Sequence, residues 1–540
     1  METLKPLLPL DPTSPYLLVG FPLLVVSLGW LFRLILHTGS ASKLPLPPGP
    51  PGLPVIGNLL QAPKGNPWEK YKEWSDKYGP MMTIKNGTAV TIVITSYELV
   101  STLLEKNNSV FSSRPVPVVI DRIGLGLTTS FLPDGEKWRT HKALRGAVLQ
   151  PAMAKKYRGL QDLESKQLLQ ELLTTDEFSA CLRRSAVSLF LAFAYGERLP
   201  KETPEIIELE DTVAHIGLVS EATFRGTDML AEFFPLLKYL PGNGSWKKEA
   251  DQISAKLSDL YVKRFRAGLS TPAWNWTKEY ATRKHADGMD ELERAYCIGS
   301  IYEASLTPYE LVRIVLLAAL LHPEETKKLQ QEIDDVVGRD RMPTWEDQDH
   351  LPLVSAFFRE AMRWRPWSPL AAPRATSREI EHMGYRIPKD ATIVVNQWAM
   401  DHDPKYFEDP LTFRPQRWID NPDLPHMMYG FGVRGCPGRH VGKDYMFLNV
   451  ARLFWAYNVD YAYENGKKVE LDVPALMDSR GTVSFFNQVP DFKAALNVRD
   501  RKTKDFIESA WQTVEKDEQK ILAQSVPAME GVPPLGKSST

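Results

Sequence analysis

Apolar side chains return every third or fourth position over residues 136–149, 161–173, 254–265, 291–321, 324–337, 353–364 and 440–454, the spacing that gathers them on one face of a helix. Shorter runs are patterned differently. Thr83-Ile84-Lys85 and Thr91-Ile92-Val93-Ile94 flank the turn dipeptide Asn86-Gly87, which predicts a β-hairpin. Thr392-Ile393-Val394-Val395 and Thr482-Val483-Ser484-Phe485-Phe486 read as further strands that must pair across long sequence distances. The pattern predicts a mainly α chain with small β-sheets, an α+β fold, without internal repeats.

One stretch carries no polar face. From Pro12 to Phe32 there is no charged side chain, and about 20 such residues as a helix cross ~30 Å of hydrocarbon. Residues 14–36 are therefore expected to be a transmembrane anchor and 1–13 a luminal amino terminus. Glu2 and Asp11 precede the span while Arg33 and Lys43 follow it, an order that leaves the bulk of the chain cytosolic. A cleaved signal peptide is the alternative, with Ser40-Ala41-Ser42 as the small-residue site. Residues 37–54 hold Pro45, Pro47, Pro48, Pro50, Pro51 and Pro54, which neither helix nor sheet can run through. They form a stiff hinge, either a plain linker or a standoff from the bilayer. Residues 55–499 are expected to make the main domain, and 500–540 a surface helix with a loose tail.

Composition narrows the function classes. Hydrophobic residues at 43% and charged residues at 24% suit a globular chain. Lys+Arg 65 against Asp+Glu 67 gives a net charge of -2, which lacks the broad positive field that nucleic acid demands. Cys181, Cys297 and Cys436 cannot build a disulfide framework, and none forms a CxxC or CxxH pair.

Cys436 stands apart from the other two. Tyr429-Gly430-Phe431-Gly432-Val433-Arg434-Gly435-Cys436-Pro437-Gly438-Arg439 surrounds one thiol with four glycines and a proline, just before a helical pattern. Glycines let backbone approach a large flat ligand. The positive end of the following helix favours the thiolate, the form that binds metal.

This loop resembles the heme-binding motif of the cytochrome P450 superfamily, Phe-x-x-Gly-x-Arg-x-Cys-x-Gly, with Gly432, Arg434, Cys436 and Gly438 matching and Tyr429 in place of Phe. The resemblance implies the family's fold behind the transmembrane helix and makes 55–499 a heme-thiolate catalytic domain. It implies heme b as cofactor, Cys436 as its iron ligand, and Arg434 on a heme propionate. The Tyr429 hydroxyl would then need a partner. Other motifs occur in the family's order. Glu360-Ala361-Met362-Arg363 resembles its Glu-x-x-Arg helix, and Arg417 would complete a buried structural triad of Glu360, Arg363 and Arg417. Trp138-Arg139-Thr140-His141-Lys142 resembles the helix whose Trp and basic residue touch propionates, with Lys142 where Arg is commoner, and Arg374 would be a third propionate donor. The similarity runs from about Pro47 to Arg499. It implies a monooxygenase in an endoplasmic reticulum membrane, single-pass, that takes electrons from a flavin-containing NADPH reductase, with no nucleic-acid partner.

The oxygen-activating helix departs from the pattern. Where the family has Ala/Gly-Gly-x-Asp/Glu-Thr, this chain has Glu303-Ala304-Ser305-Leu306-Thr307-Pro308. Counting forward from Glu303-Ala304 puts Thr307 at the acid and Pro308 at the threonine; counting back from His322-Pro323 puts Leu306 at the acid and Thr307 at the threonine. Both registers lose the acid. Pro308 should open or kink the helix against the Ala304 carbonyl, at a cost of ~3 kcal/mol unless compensated. Three readings stay open: Thr307, Ser305 and a water on the freed carbonyl replace the relay; oxygen activation is weakened; or the substrate supplies protons, or the reaction is a coupling, desaturation or rearrangement.

The segments 116–132, 217–234, 368–371 and 480–483 match regions lining the family's distal pocket, are largely apolar, and imply a hydrophobic small-molecule substrate. Phe233-Phe234-Pro235 through Pro241-Gly242 resembles the fungal secondary-metabolite branch. The alternatives are a heme-thiolate isomerase, coupling or peroxide-using enzyme, and a non-catalytic heme-binding scaffold of a pathway.

Overall fold

The computed structural model describes residues 43–204 except Lys64 and Glu202, then 245–477 and 486–525. The expected anchor over 14–36, the distal segments 217–234 and 480–483, most of the 482–486 strand and the tail after 525 lie outside the described residues.

Helix α1 Pro67–Tyr78 falls outside the stretches that the periodicity predicts, whereas α2 Glu136–Leu149 and α3 Arg158–Leu172 lie close to their expected limits. Helix α4 Phe178–Tyr195 also falls outside them, and α5 Ser245–Ser270 extends well beyond the expected 254–265. They are followed by α6 Glu291–Glu303, α7 Leu306–Leu321, α8 Pro323–Val337, α9 Pro352–Trp364 and α10 Arg439–Ala456. Starts follow local chemistry: the Asp290 side chain accepts from the Glu293 N–H at 2.8 Å to cap α6, and Pro323 and Pro352 open α8 and α9, where no helical donor is needed.

Among the described residues the strands make one main sheet and three minor pairs. Hairpin β1 Met81–Asn86 and β2 Ala89–Ile94 turns at Gly87, whose φ of 58° suits glycine. Strand β6 Thr392–Val395 lies parallel to β2, with Thr91 opposite Thr392 and Ile94 opposite Val395, and antiparallel to β3 Arg374–Ala375. The order is therefore β1-β2-β6-β3. The pairs are β4 Ile380–His382 with β5 Tyr385–Ile387, β7 Tyr457–Tyr461 with β10 Ala494–Val498, and β8 Tyr463–Glu464 with β9 Lys467–Lys468.

The largest core cluster wraps α7, whose residues Pro308–Leu320 are all buried, and α7 packs on α4, α9 and α10. Being enclosed on all sides explains its hydropathy: together with α6 it is long and apolar enough to cross a membrane, yet it is a core element here. The surface helix expected beyond residue 500 is two helices, α11 Arg501–Thr513 and α12 Glu518–Ser525, and Ile507 and Leu522 reach the main core.

Candidate functional site around Cys436

The loop before α10 is folded by its own backbone. The Cys436 N–H donates to the Tyr429 carbonyl at 2.7 Å, Gly430 and Gly432 take φ of 68° and 57°, and Gly432–Arg434 makes a short 3-10 turn. At Gly432 a Cβ would collide with Asn108 Oδ1 and lie 2.8 Å from the Leu104 carbonyl, so this glycine lets the loop press on the 104–108 segment. Gly438 is the residue before α10, has an ordinary φ of -81°, and a Cβ there would meet only Cys436 Sγ at 3.9 Å. The Gly438 N–H bonds the thiol and favours its anion, but burial outweighs it and raises the Cys436 pKa. The same sulfur-bearing residue nevertheless keeps open surface. The Tyr429 hydroxyl is buried without a partner among the described residues, its pKa pushed up by desolvation.

Beside the thiol lies a group of guanidiniums. Arg434 sits 3.7 Å over the Trp138 ring and donates to the Ser112 and Leu132 carbonyls at 2.6 and 2.8 Å. Arg374, brought in by β3, donates to the Phe431 carbonyl at 2.7 Å. The bridge between Ser113 and Ala375 delivers Arg114, which donates to the Ala372 carbonyl at 2.5 Å and to that of Pro373. Arg145, two turns along α2 from Trp138, has buried Nε and Nη2 atoms with no partner among the described residues, as does Nε of Arg114. Burial, with repulsion from neighbouring arginines, lowers Arg374 to about 8 and Arg434 to about 9; burial lowers Arg114 to about 10. Asp134 is the carboxylate that acts on Arg434. Buried cations of this number call for more anion than one carboxylate provides. Lys142 is exposed, with Nζ 5.2 Å from the Trp138 ring.

Glu360, Arg363 and Arg417 come together in full burial. Arg363 grips Glu360 through Nε and Nη2 at 2.9 and 2.8 Å, and Arg417 Nε reaches the same carboxylate at 3.1 Å. The Arg414 N–H and Trp418 Nε1 fill the remaining acceptor positions at 2.8 and 2.9 Å. Arg363 also binds the Asp401, Pro410 and Thr412 carbonyls, so one ion cluster pins the 401–418 segment to α9.

The central helix is broken between Glu303 and Leu306. Pro308 lacks an N–H for the Ala304 carbonyl, and the Thr307 N–H takes it instead at 3.1 Å. The carbonyl expected to be freed for water is therefore already engaged. Ser305 is fully buried and its hydroxyl has no partner among the described residues, whereas Ala304 is exposed and Glu303 and Thr307 are half-exposed. The structure thus separates the two hydroxyls singled out from sequence: Thr307 borders open space and Ser305 faces packed core.

Sequence reasoning passed over Arg114 and Arg145. Arg145 was findable, since positions i and i+7 from Trp138 share a helix face; Arg114 sits in no local pattern. Among the pocket segments, 116–132 contains the helix Val118–Gly124 and lines a cleft of about 380 Å³ that ends at Trp138. Residues 368–371 form a turn closed by the Ala371 N–H on the Ser368 carbonyl at 3.0 Å.

Comparison with known proteins gives the family. The family model described as Cytochrome P450 matches residues 47–482. A relative described as cytochrome P450 monooxygenase okaD, from Penicillium ochrochloron, is 58% identical over 97% of this chain and 98% of its own. Fumitremorgin C synthase of Neosartorya fischeri is 44% identical over 93% and 97%, and the echilunin cytochrome P450 monooxygenase of Aspergillus ruber 44% over 94% of each.

Proposed function

The chain belongs to the cytochrome P450 family and is a monooxygenase, and from that premise we propose that it oxidises a hydrophobic small molecule of secondary metabolism with dioxygen and electrons from a flavin-carrying NADPH reductase. The family's cofactor is heme held through a cysteine thiolate, which when bound supplies the activation of dioxygen. The residues fit such a group. Cys436 would be the iron ligand in this reading, on a loop shaped by Gly430 and Gly432, and Arg374, Arg434 and Trp138 would hold the propionates, joined by Arg114 and Arg145, with Lys142 at the rim. The observation that carries the reading is the set of buried and half-buried guanidiniums without matching carboxylates among the described residues, beside an open thiol. Two propionates supply the missing negative charge.

The remaining residues position and exclude. The Glu360, Arg363 and Arg417 cluster holds the 401–418 segment rigid. Thr307 offers a hydroxyl at the helix break that can hand on a proton through Oγ1, while the apolar residues of the 116–132 segment keep bulk water from the chamber. Residues 14–36 anchor the protein in the endoplasmic reticulum membrane, with 37–54 as the standoff.

Purified protein, reduced and exposed to carbon monoxide, should show the thiolate-specific Soret band, and Cys436→Ala should lose it; heme held with the band unchanged in that variant would refute the assignment. A second reading, a coupling or rearrangement that bypasses the usual relay, is favoured by the broken helix and the missing acid. Isotope-labelled dioxygen separates the two, because only oxygen insertion puts the label in product.

A further inference from the structure

Thr129, His141 and Glu293 meet from three separate parts of the chain: the 125–135 loop, α2, and the first turn of α6. His141 is fully buried and Thr129 is 2% exposed. The Thr129 hydroxyl lies 2.7 Å from His141 Nδ1, and His141 Nε2 lies 3.1 Å from Glu293 Oε1. A carboxylate only accepts, so Nε2 carries the ring proton and donates to Glu293, which leaves Nδ1 to accept from the Thr129 hydroxyl. Burial keeps the ring neutral, lowering His141 to about 3, with Arg145 and Lys137 adding to the effect. A hydroxyl, an imidazole and a carboxylate in this order resemble an activated nucleophile, but with Thr129 enclosed in the core the arrangement can hold and not react.

What it holds is the wall of the cleft that ends at Trp138. Thr128, Phe131 and Leu132 line that cleft, while Thr129 between them is turned to His141. Residues 125–135 contain neither helix nor strand and are fastened by side chains at separate points. Near the thiol loop, Arg434 Nη2 donates to the Leu132 carbonyl at 2.8 Å. At the far end the Ser112 hydroxyl donates to Asp134 Oδ2 at 2.9 Å, and the Asp134 N–H donates to the Ser113 hydroxyl at 3.2 Å. Thr129 fastens the middle. The loop opens on Leu125 with φ of 53°, a left-handed conformation that a residue other than glycine keeps only where its surroundings impose it. Releasing Thr129 therefore frees the stretch before Leu132 while the Leu132 and Asp134 bonds remain. Arg434 lies over the Trp138 ring and stands two residues before Cys436, so the inner end of the cleft adjoins the thiol site.

We infer that His141, held by Glu293 and holding Thr129, is a positioning residue for substrate entry: it keeps the 125–135 loop drawn inward and so limits the size of hydrophobic molecule that passes the cleft to the site beside Cys436. This rests on the heme reading above. Glu293 fixes the tautomer of the ring, and the ring ties the loop to the first turn of α6. Without the Thr129 hydroxyl, Nδ1 is left buried and unpaired. That penalty is relieved only when the loop moves out and water reaches the ring.

The test uses the full-length holoprotein and the variants Thr129→Val, Thr129→Ser, His141→Leu and His141→Gln. Valine keeps the shape of threonine without its hydroxyl. Glutamine keeps an amide donor for Glu293 and a carbonyl acceptor for Thr129. Amide hydrogen exchange of residues 125–135 should quicken in Thr129→Val and His141→Leu, and Thr129→Ser and His141→Gln should return it toward wild type. Entry is read by mixing each protein with imidazole or the bulkier phenylimidazole, which bind heme iron and shift the Soret band. In Thr129→Val phenylimidazole should bind about 3- to 10-fold faster, the change in open population expected from losing one hydrogen bond of ordinary net strength, while imidazole stays within about 2-fold of wild type. A phenylimidazole rate equal to wild type in Thr129→Val overturns the inference, whatever the exchange shows. So does an equal acceleration of both ligands, which marks general loosening. A wild-type protein without the thiolate Soret band defeats the heme reading instead; hydrogen exchange then decides the latch, and wild-type exchange in Thr129→Val overturns it. Should His141→Leu fail to fold, the contrast of Thr129→Val with Thr129→Ser decides alone, and identical rates in those two overturn the inference.

Discussion

Single side chains in this protein are governed by what burial does to charge. Asp401 shows this outside the chamber. It accepts from the Tyr97 hydroxyl at 2.6 Å and Gln397 Nε2 at 3.1 Å, but desolvation dominates and lifts its pKa to about 7 from 3.8. A carboxyl whose folded pKa lies above its unfolded value binds more protons when folded, so its contribution is fully present below about 4 and is lost as pH rises through about 7. Urea unfolding of wild type should therefore weaken between pH 5 and about 7.5 more steeply than that of Asp401→Asn, with midpoints read by fluorescence. Equal slopes would show that Asp401 does not titrate in that window. The guanidiniums near Cys436 obey the same physics with opposite sign: burial lowers Arg374 and Arg434, which accept this cost only if an anion joins them.

At the scale of elements, close approach matters more than propensity. Helices α5 and α6 pack together with Tyr261 lying on Gly299, and any Cβ there meets the ring at 2.6 Å. Gly299→Ala would on propensity alone favour the helix, yet overpacking typically costs 1–3 kcal/mol, so the variant should unfold about that much more easily in urea. It should also disturb Glu303, because the ring carries the hydroxyl that holds that carboxylate. A stabilised Gly299→Ala would mean that α5 can retreat at no cost. The break between α6 and α7 has a similar logic: Pro308 removes one donor, and the chain answers by tightening to the Thr307 N–H bond on Ala304 rather than by leaving the carbonyl bare.

The whole molecule is bound by long-range ties that a linear division of the chain does not reveal. Glu164 of α3 holds Arg184, Arg198 and the Ser188 hydroxyl. Glu518 of α12 accepts from the Arg198 N–H at 3.1 Å. The carboxyl-terminal helices thereby belong to the core. The amino end is expected to behave differently, since residues 14–36 read as an anchor. A chain lacking residues 1–36 should keep the carbon monoxide Soret band in full and leave the membrane fraction on sedimentation; loss of the band would show that this segment is part of the folded domain.

The amino-acid sequence determined by itself the helical periodicities, the hairpin at Asn86-Gly87 and the thiol in its glycine loop, because each is written in spacing or in a local motif, and the family resemblance resting on such motifs supplied the candidates Glu360, Arg363 and Arg417. Tertiary structure decided what spacing cannot carry. Arg114 reaches the site only because Ser113 bridges to Ala375, Ser305 and Thr307 part company because the break turns them toward different surroundings, and Glu303 takes its hydrogen bond from a tyrosine on another helix. Burial and charge balance are sums over neighbours distant in the chain, and only folding brings those neighbours together.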